Sequence, residues 1–153
     1  KQVAVGWGHG DFAACNILVD ATGKNQTGSD QTGWAVTGIV DWEQMLTNDH
    51  PMLDIVFLLL TARAQEEAQE LGAVVANLLA GSEWKAFETE LLANIQAQLP
   101  GSKLSDHTLI LLTWLRHVSM TIDKSERYRH HPIWRRNNIE RVLIGFPPED
   151  RMG

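Results

Sequence analysis

Three hard oxygen donors stand close together in the first third of this chain. His9-Gly10-Asp11-Phe12-Ala13-Ala14-Cys15-Asn16 places a histidine, a carboxylate and an amide within eight residues, and Gly38-Ile39-Val40-Asp41-Trp42-Glu43 ends an apolar run on a second carboxylate. Asp11, Asn16 and Asp41 together suit magnesium, which takes one or two protein oxygens and completes its shell with phosphate and water. A loop carrying a carboxylate and, five residues on, an amide can separate two tasks, one group facing an incoming hydroxyl and the other a metal. Phosphoryl transfer needs that division, because its catalysis consists mostly of positioning and charge neutralisation. Taken alone, Asp11 and Asn16 are also ordinary turn residues. No thiolate–imidazole cluster accompanies them, which disfavours zinc.

The elements around these residues read as a rigid frame. Residues 2–6 are expected to be a strand entering the loop, Ile17–Asp20 a strand leaving it, and Ala35–Val40 a return strand, with a polar tip over residues 21–33 closing a hairpin. Beyond Asp41 the pattern turns helical. Pro51 suits a first helical position, with Asn48 or Asp49 as cap, and Met52–Arg63 is apolar on nearly every face, as a buried helix is. Further helices are expected over Glu66–Ala80, from a Ser82 cap with Trp84, Phe87, Leu91 and Ile95 as its stripe, and from a Ser105 or Asp106 cap with Leu111, Trp114, Leu115, Val118 and Ile122 facing one way. A last helix runs from His131-Pro132 to about Ile144, and Pro147-Pro148 ends the pattern. The fold class is α+β: a short β-hairpin region followed by a mostly helical bundle, residues 1–153 forming a single domain.

In order and spacing, His9-x-Asp11-x-x-x-x-Asn16, Ile39-Val40-Asp41-Trp42-Glu43 and Pro51-x-x-Asp54 resemble the motifs of the aminoglycoside phosphotransferase and choline kinase-like family, whose members share the protein-kinase fold. The motif-level resemblance covers roughly residues 3–60. It implies that Asp11 is the catalytic aspartate, that Asn16 and Asp41 bind magnesium, that His9 packs under the metal-binding loop, and that Asp54 braces the catalytic loop through backbone N–H groups. It also implies that Trp42 and Glu43 continue the metal-loop motif, and it assigns Glu43 no separate chemical role. The resemblance implies ATP as co-substrate, Mg2+ as cofactor and a small-molecule hydroxyl as acceptor. Ala13-Ala14-Cys15 departs from the family's usual filling, and no glycine-rich strand–turn–strand or Val-Ala-x-Lys pattern occurs. The expectation is therefore a C-terminal, catalytic lobe whose N-terminal nucleotide lobe is absent, inactive in isolation. Lys1 in place of an initiator methionine fits a piece of a longer chain. A kinase-like lobe serving as a non-catalytic binding or scaffold module, possibly fused to another enzyme, is the alternative.

Composition excludes other classes. With 44% hydrophobic and 21% charged residues the 153-residue chain is built to bury a core, which argues against disorder. A net charge of −6 disfavours nucleic acid as a partner. Residues 116–141 run against that balance, with seven basic residues against three acidic ones. Arg135 and Arg136, near Tyr128, Arg129 and Trp134, could meet an anionic group, or could simply form a solvated helix face. The longest apolar run, Met52 to Leu60, is too short to span a bilayer. Cys15, the single cysteine, is expected to be a small buried filler in a reducing, cytoplasmic setting. The six tryptophans are expected to lie mostly in the core, and the sequon at Asn25 to be chance.

Overall fold

The computed structural model describes residues 2–23 and 33–145. The fold is α+β: two small antiparallel sheets lead into a helical bundle. Strand β1 (Gly6–Gly8) pairs with β4 (Leu46–Asp49), and β2 (Ile17–Gly23) pairs with β3 (Gly33–Ile39). Ile17 sits opposite Ile39, so the β2–β3 hairpin delivers the loop after His9 and the turn at Asp41 to the same end of the sheet. Most of the expected hairpin tip, the Asn25 sequon and Pro147-Pro148 lie outside the described residues.

The helices are α1 (Met52–Glu66), α2 (Leu71–Leu79), α3 (Ala86–Gln98), α4 (Asp106–Lys124), α5 (Glu126–His130), α6 (Pro132–Arg135) and α7 (Arg141–Ile144), with a π-helical turn, Arg136–Glu140, joining the last two. The core forms where α1, α2 and α4 meet, around Met52, Val56, Leu60, Val75, Leu109 and Trp114. Helix α1 buries residues on most of its circumference, as its continuous apolar sequence requires.

Several boundaries differ from the sequence expectation for physical reasons. The entering strand starts at Gly6, because pairing is available only opposite Leu46–Asp49. Asn48 and Asp49 belong to that partner strand and cap nothing; the first-turn N–H of Met52 donates instead to His50 Nδ1 at 3.2 Å. Glu66 ends α1, and α2 starts only at Leu71. Helix α3 is capped at Lys85, whose N–H donates to Glu88 Oε2 at 2.7 Å, and Ser82 plays no part. The face α3 buries carries Glu88 and Leu92, while Phe87 is 60% exposed. The apolar stripe misleads there because the buried position belongs to an ion pair: Glu88 takes the Arg63 guanidinium in a forked arrangement, with Nε at 2.9 and 3.0 Å from the two carboxylate oxygens. Trp84 lies before α3 and stacks on Arg63, 5.1 Å from guanidinium carbon to ring centroid. Ser105 caps α4 as expected, its Oγ accepting from Thr108 N–H at 3.2 Å. That helix turns Leu109, Ile110, Thr113 and Trp114 inward and leaves Leu115 half exposed.

The tryptophans are not mostly core. Trp114 is buried, whereas Trp7 and Trp34 are about three-quarters exposed and Trp42 nearly half. The exposed three lie on or beside two-stranded sheets.

The π turn packs tightly on α2. Gly72, in the first turn of α2, lies so close to it that a Cβ there would stand 2.3 Å from Asn137 O. Asn138 uses that proximity, its Oδ1 accepting from Gly72 N–H at 3.0 Å and its carbonyl from Trp114 Nε1–H at 2.7 Å. One buried asparagine thereby joins α2, α4 and the C-terminal helices.

Candidate active site

The loop from His9 to Asn16 is held from both ends. Asp54, in the first turn of α1, accepts from His9 N–H at 2.5 Å and from Gly10 N–H at 3.1 Å. Its Oδ1 also accepts from Arg116 Nη2 at 2.9 Å, and Arg116 Nη1 pairs with Asp49. A single guanidinium thus ties α4 to β4 and to the start of α1 beneath the loop. Gly10 adopts φ +83°, and a Cβ there would lie 2.1 Å from Gln44 O, so a side chain fits neither the dihedral nor the space.

His9 is buried beneath the loop. Its Nδ1 accepts from Asp11 N–H at 3.3 Å and its Nε2 lies 2.8 Å from Val40 O, contacts that a tautomer with the proton on Nε2 satisfies together. The Trp42 ring packs on it with centroids 4.6 Å apart, and Phe12 lies 5.7 Å away. Trp42 is fixed in turn by its own Nε1–H, which donates to Ile39 O at 2.9 Å.

At the other end, Asn16 Nδ2 donates to Asp11 O at 2.8 Å, and Val40 N–H donates to Asn16 O at 3.0 Å. The second bond joins the 3₁₀ turn Ala14–Asn16 to the residue before Asp41, so both motif loops share one hydrogen-bonded frame. Asp41 has φ 64° and ψ 57°, a left-handed conformation in which few residues other than glycine, asparagine and aspartate settle. It is exposed and leads into a 3₁₀ turn, Trp42–Gln44. Glu43 is exposed as well and lines a shallow groove beside Gln44, Met45 and Met120. Cys15 is exposed, contrary to expectation, with its thiol 3.6 Å from Asn16 Oδ1; the 3₁₀ turn directs its side chain outward while Asn16 turns in.

Asp11 opens on a cavity of about 320 Å³ lined also by Gln44, His117, Met120, Thr121, Lys124, Tyr128 and Trp134. That volume suits a small molecule. Tyr128 and Trp134 meet at a tilt, 5.4 Å between ring centroids. His117 packs beside Phe57, 5.4 Å between centroids. Burial holds its pKa below the ordinary 6.5, with Asp11 raising it and Arg116 lowering it further. Sequence reasoning singles out neither Arg116 nor His117. Both lie on α4, far along the chain from the loop, and no local pattern marks them.

Among the described residues no group of three or more His, Cys, Asp or Glu assembles that could hold a metal. Asn16 and Asp41 supply one amide and one carboxylate, a donor set that suits magnesium when phosphate oxygens and water complete the shell.

A family model described as "Phosphotransferase enzyme family" matches residues 1–89, more than half of the chain and all of the segment carrying His9, Asp11, Asn16, Asp41 and Asp54. The chain belongs to the phosphotransferase enzyme family. No curated protein and no solved structure matches it. In this phosphotransferase-family chain the matched segment supplies the two loops and α1. The cavity walls from α4, α5 and α6 lie beyond it. Among the described residues no helix is long and apolar enough to cross a membrane.

Proposed function

We propose that this chain is the catalytic lobe of an ATP- and magnesium-dependent phosphotransferase that moves a phosphoryl group to a hydroxyl of a small molecule. The observation that carries the reading is the position of Asp11: its loop is clamped by Asp54 and Asn16, and it opens on a small-molecule cavity. Asp11 orients the acceptor hydroxyl and takes its proton. Asn16 Oδ1 and the Asp41 carboxylate hold the metal, and His9, Trp42 and Asp54 keep the two loops in register. Magnesium–ATP supplies the phosphoryl group and the neutralising charge when bound. The exposed apolar residues on or beside the strands, Val5, Trp7, Trp34 and Val36, support the further reading that an N-terminal nucleotide lobe seats on the strand region.

The test is titration of magnesium–ATP into the chain, followed by amide NMR. Shifts are expected around Asn16 and Asp41, abolished in Asp41→Ala and retained in Asp11→Asn. Shifts that spare both loops would refute the metal assignment. In the full-length protein, Asp11→Asn is expected to lower turnover by about 10²–10⁴-fold while the melting temperature holds.

A further inference from the structure

The charge of the cavity beside Asp11 bears on the acceptor, whose identification rests on the proposed phosphotransferase function. Among the described residues lining it, Asp11 is the only carboxylate, and in phosphoryl transfer it is engaged with the reacting hydroxyl. The one lining cation is Lys124, at the C-terminal end of α4, for which no ion pair forms among the described residues. Glu43 and Asp123 line an adjoining groove that shares Lys124, and neither lines the cavity.

The chain segment that supplies Lys124, Tyr128 and Trp134 carries the same sign along its sequence. Two of the seven basic residues between 116 and 141 are spoken for, Arg116 by Asp49 and Asp54 and Arg129 by Glu126. The local excess of Lys124, Arg127, Arg135, Arg136 and Arg141 over Asp123 and Glu140 gives the α4–α7 segment a positive field. His117 adds no opposing negative charge. The rest of the wall mixes polar Gln44, His117 and Thr121 with Met120, Tyr128 and Trp134, whose apolar surface can meet a ring. An aromatic pair can also receive a cation, but a lysine on the same wall opposes that choice.

We infer that the acceptor is a hydroxylated ring compound bearing an anionic group, a carboxylate or a phosphate, with Lys124 meeting the anion and Tyr128 and Trp134 meeting the ring. Lys124 is then a specificity-determining residue, and polyamine acceptors are disfavoured.

Three sugars of one ring shape and different charge test this without nucleotide: glucuronate, glucose and glucosamine, with choline as a compact cation. Each is titrated into the chain while the Trp134 indole N–H resonance is followed. Glucuronate is expected to bind about fivefold more tightly than glucose, the upper range for one exposed charge pair. Lys124→Gln should erase that preference and leave glucose binding unchanged, and Lys124→Glu should invert it toward glucosamine. Lys124 is exposed, so both variants should keep the wild-type melting curve. Equal binding of the three sugars, tighter binding of glucosamine or choline, or no Trp134 shift with any probe would overturn the inference. The two readings fail separately. Correct charge selection together with undiminished turnover of Asp11→Asn in the full-length protein refutes the phosphotransferase reading alone; loss of that turnover together with a preference for cations refutes only the acceptor class.

Discussion

At the residue scale, Asp54 carries more of the site than its distance from the cavity suggests. It satisfies two loop N–H groups and half of a guanidinium that is itself nearly buried. Asp54→Ala leaves all three without that partner, and a loss of about 3–5 kcal/mol in unfolding free energy is expected by denaturant titration. Gly10→Ala acts differently. It meets the Gln44 backbone and a disallowed dihedral at once, so the loop must shift and the Asp11 amide signal should move even where the fold survives. The two loops that carry the candidate residues were legible in sequence because they are short polar stretches between apolar runs. Arg116 and His117 were not, because a helix residue 62 positions from Asp54 announces nothing locally about what it will meet.

At the element scale, the bundle depends on the Arg63–Glu88 pair that locks α3 to α1. Breaking one side of a buried pair strands a charge, so Glu88→Ala should cost about 3–5 kcal/mol, whereas the double replacement Arg63→Met with Glu88→Met should recover most of it. A double-mutant cycle on chemical denaturation measures the difference. Asn138→Ala removes the acceptor for the α2 N-terminus and should cost about 1–3 kcal/mol. Helix existence was readable from periodicity and caps, as at Ser105 and Pro132. Which face turns inward was not readable in α3, since hydrophobicity alone ranks Phe87 above Glu88 and cannot see Arg63 waiting on another helix. The π turn Arg136–Glu140 likewise lies in close tertiary contact with Gly72, which no local pattern announces.

At the scale of the whole molecule, stability should depend on pH through His117. Its folded pKa is lowered by burial, so as pH falls below 6.5 the unfolded chain takes the proton first. Stability from this group is intact above 6.5 and declines as pH drops toward the folded value; His50, lowered by burial in the same way, adds to the slope. His117→Gln should flatten the fall in melting temperature between pH 7 and 5 relative to wild type. Asp41 has a consequence of another kind. It occupies a left-handed backbone conformation that glycine adopts without steric cost. A library of variants sorted for heat resistance alone should therefore enrich glycine at position 41. The same library sorted for retention on magnesium–nucleotide resin should keep aspartate, so this one position would separate two selections that agree throughout the core.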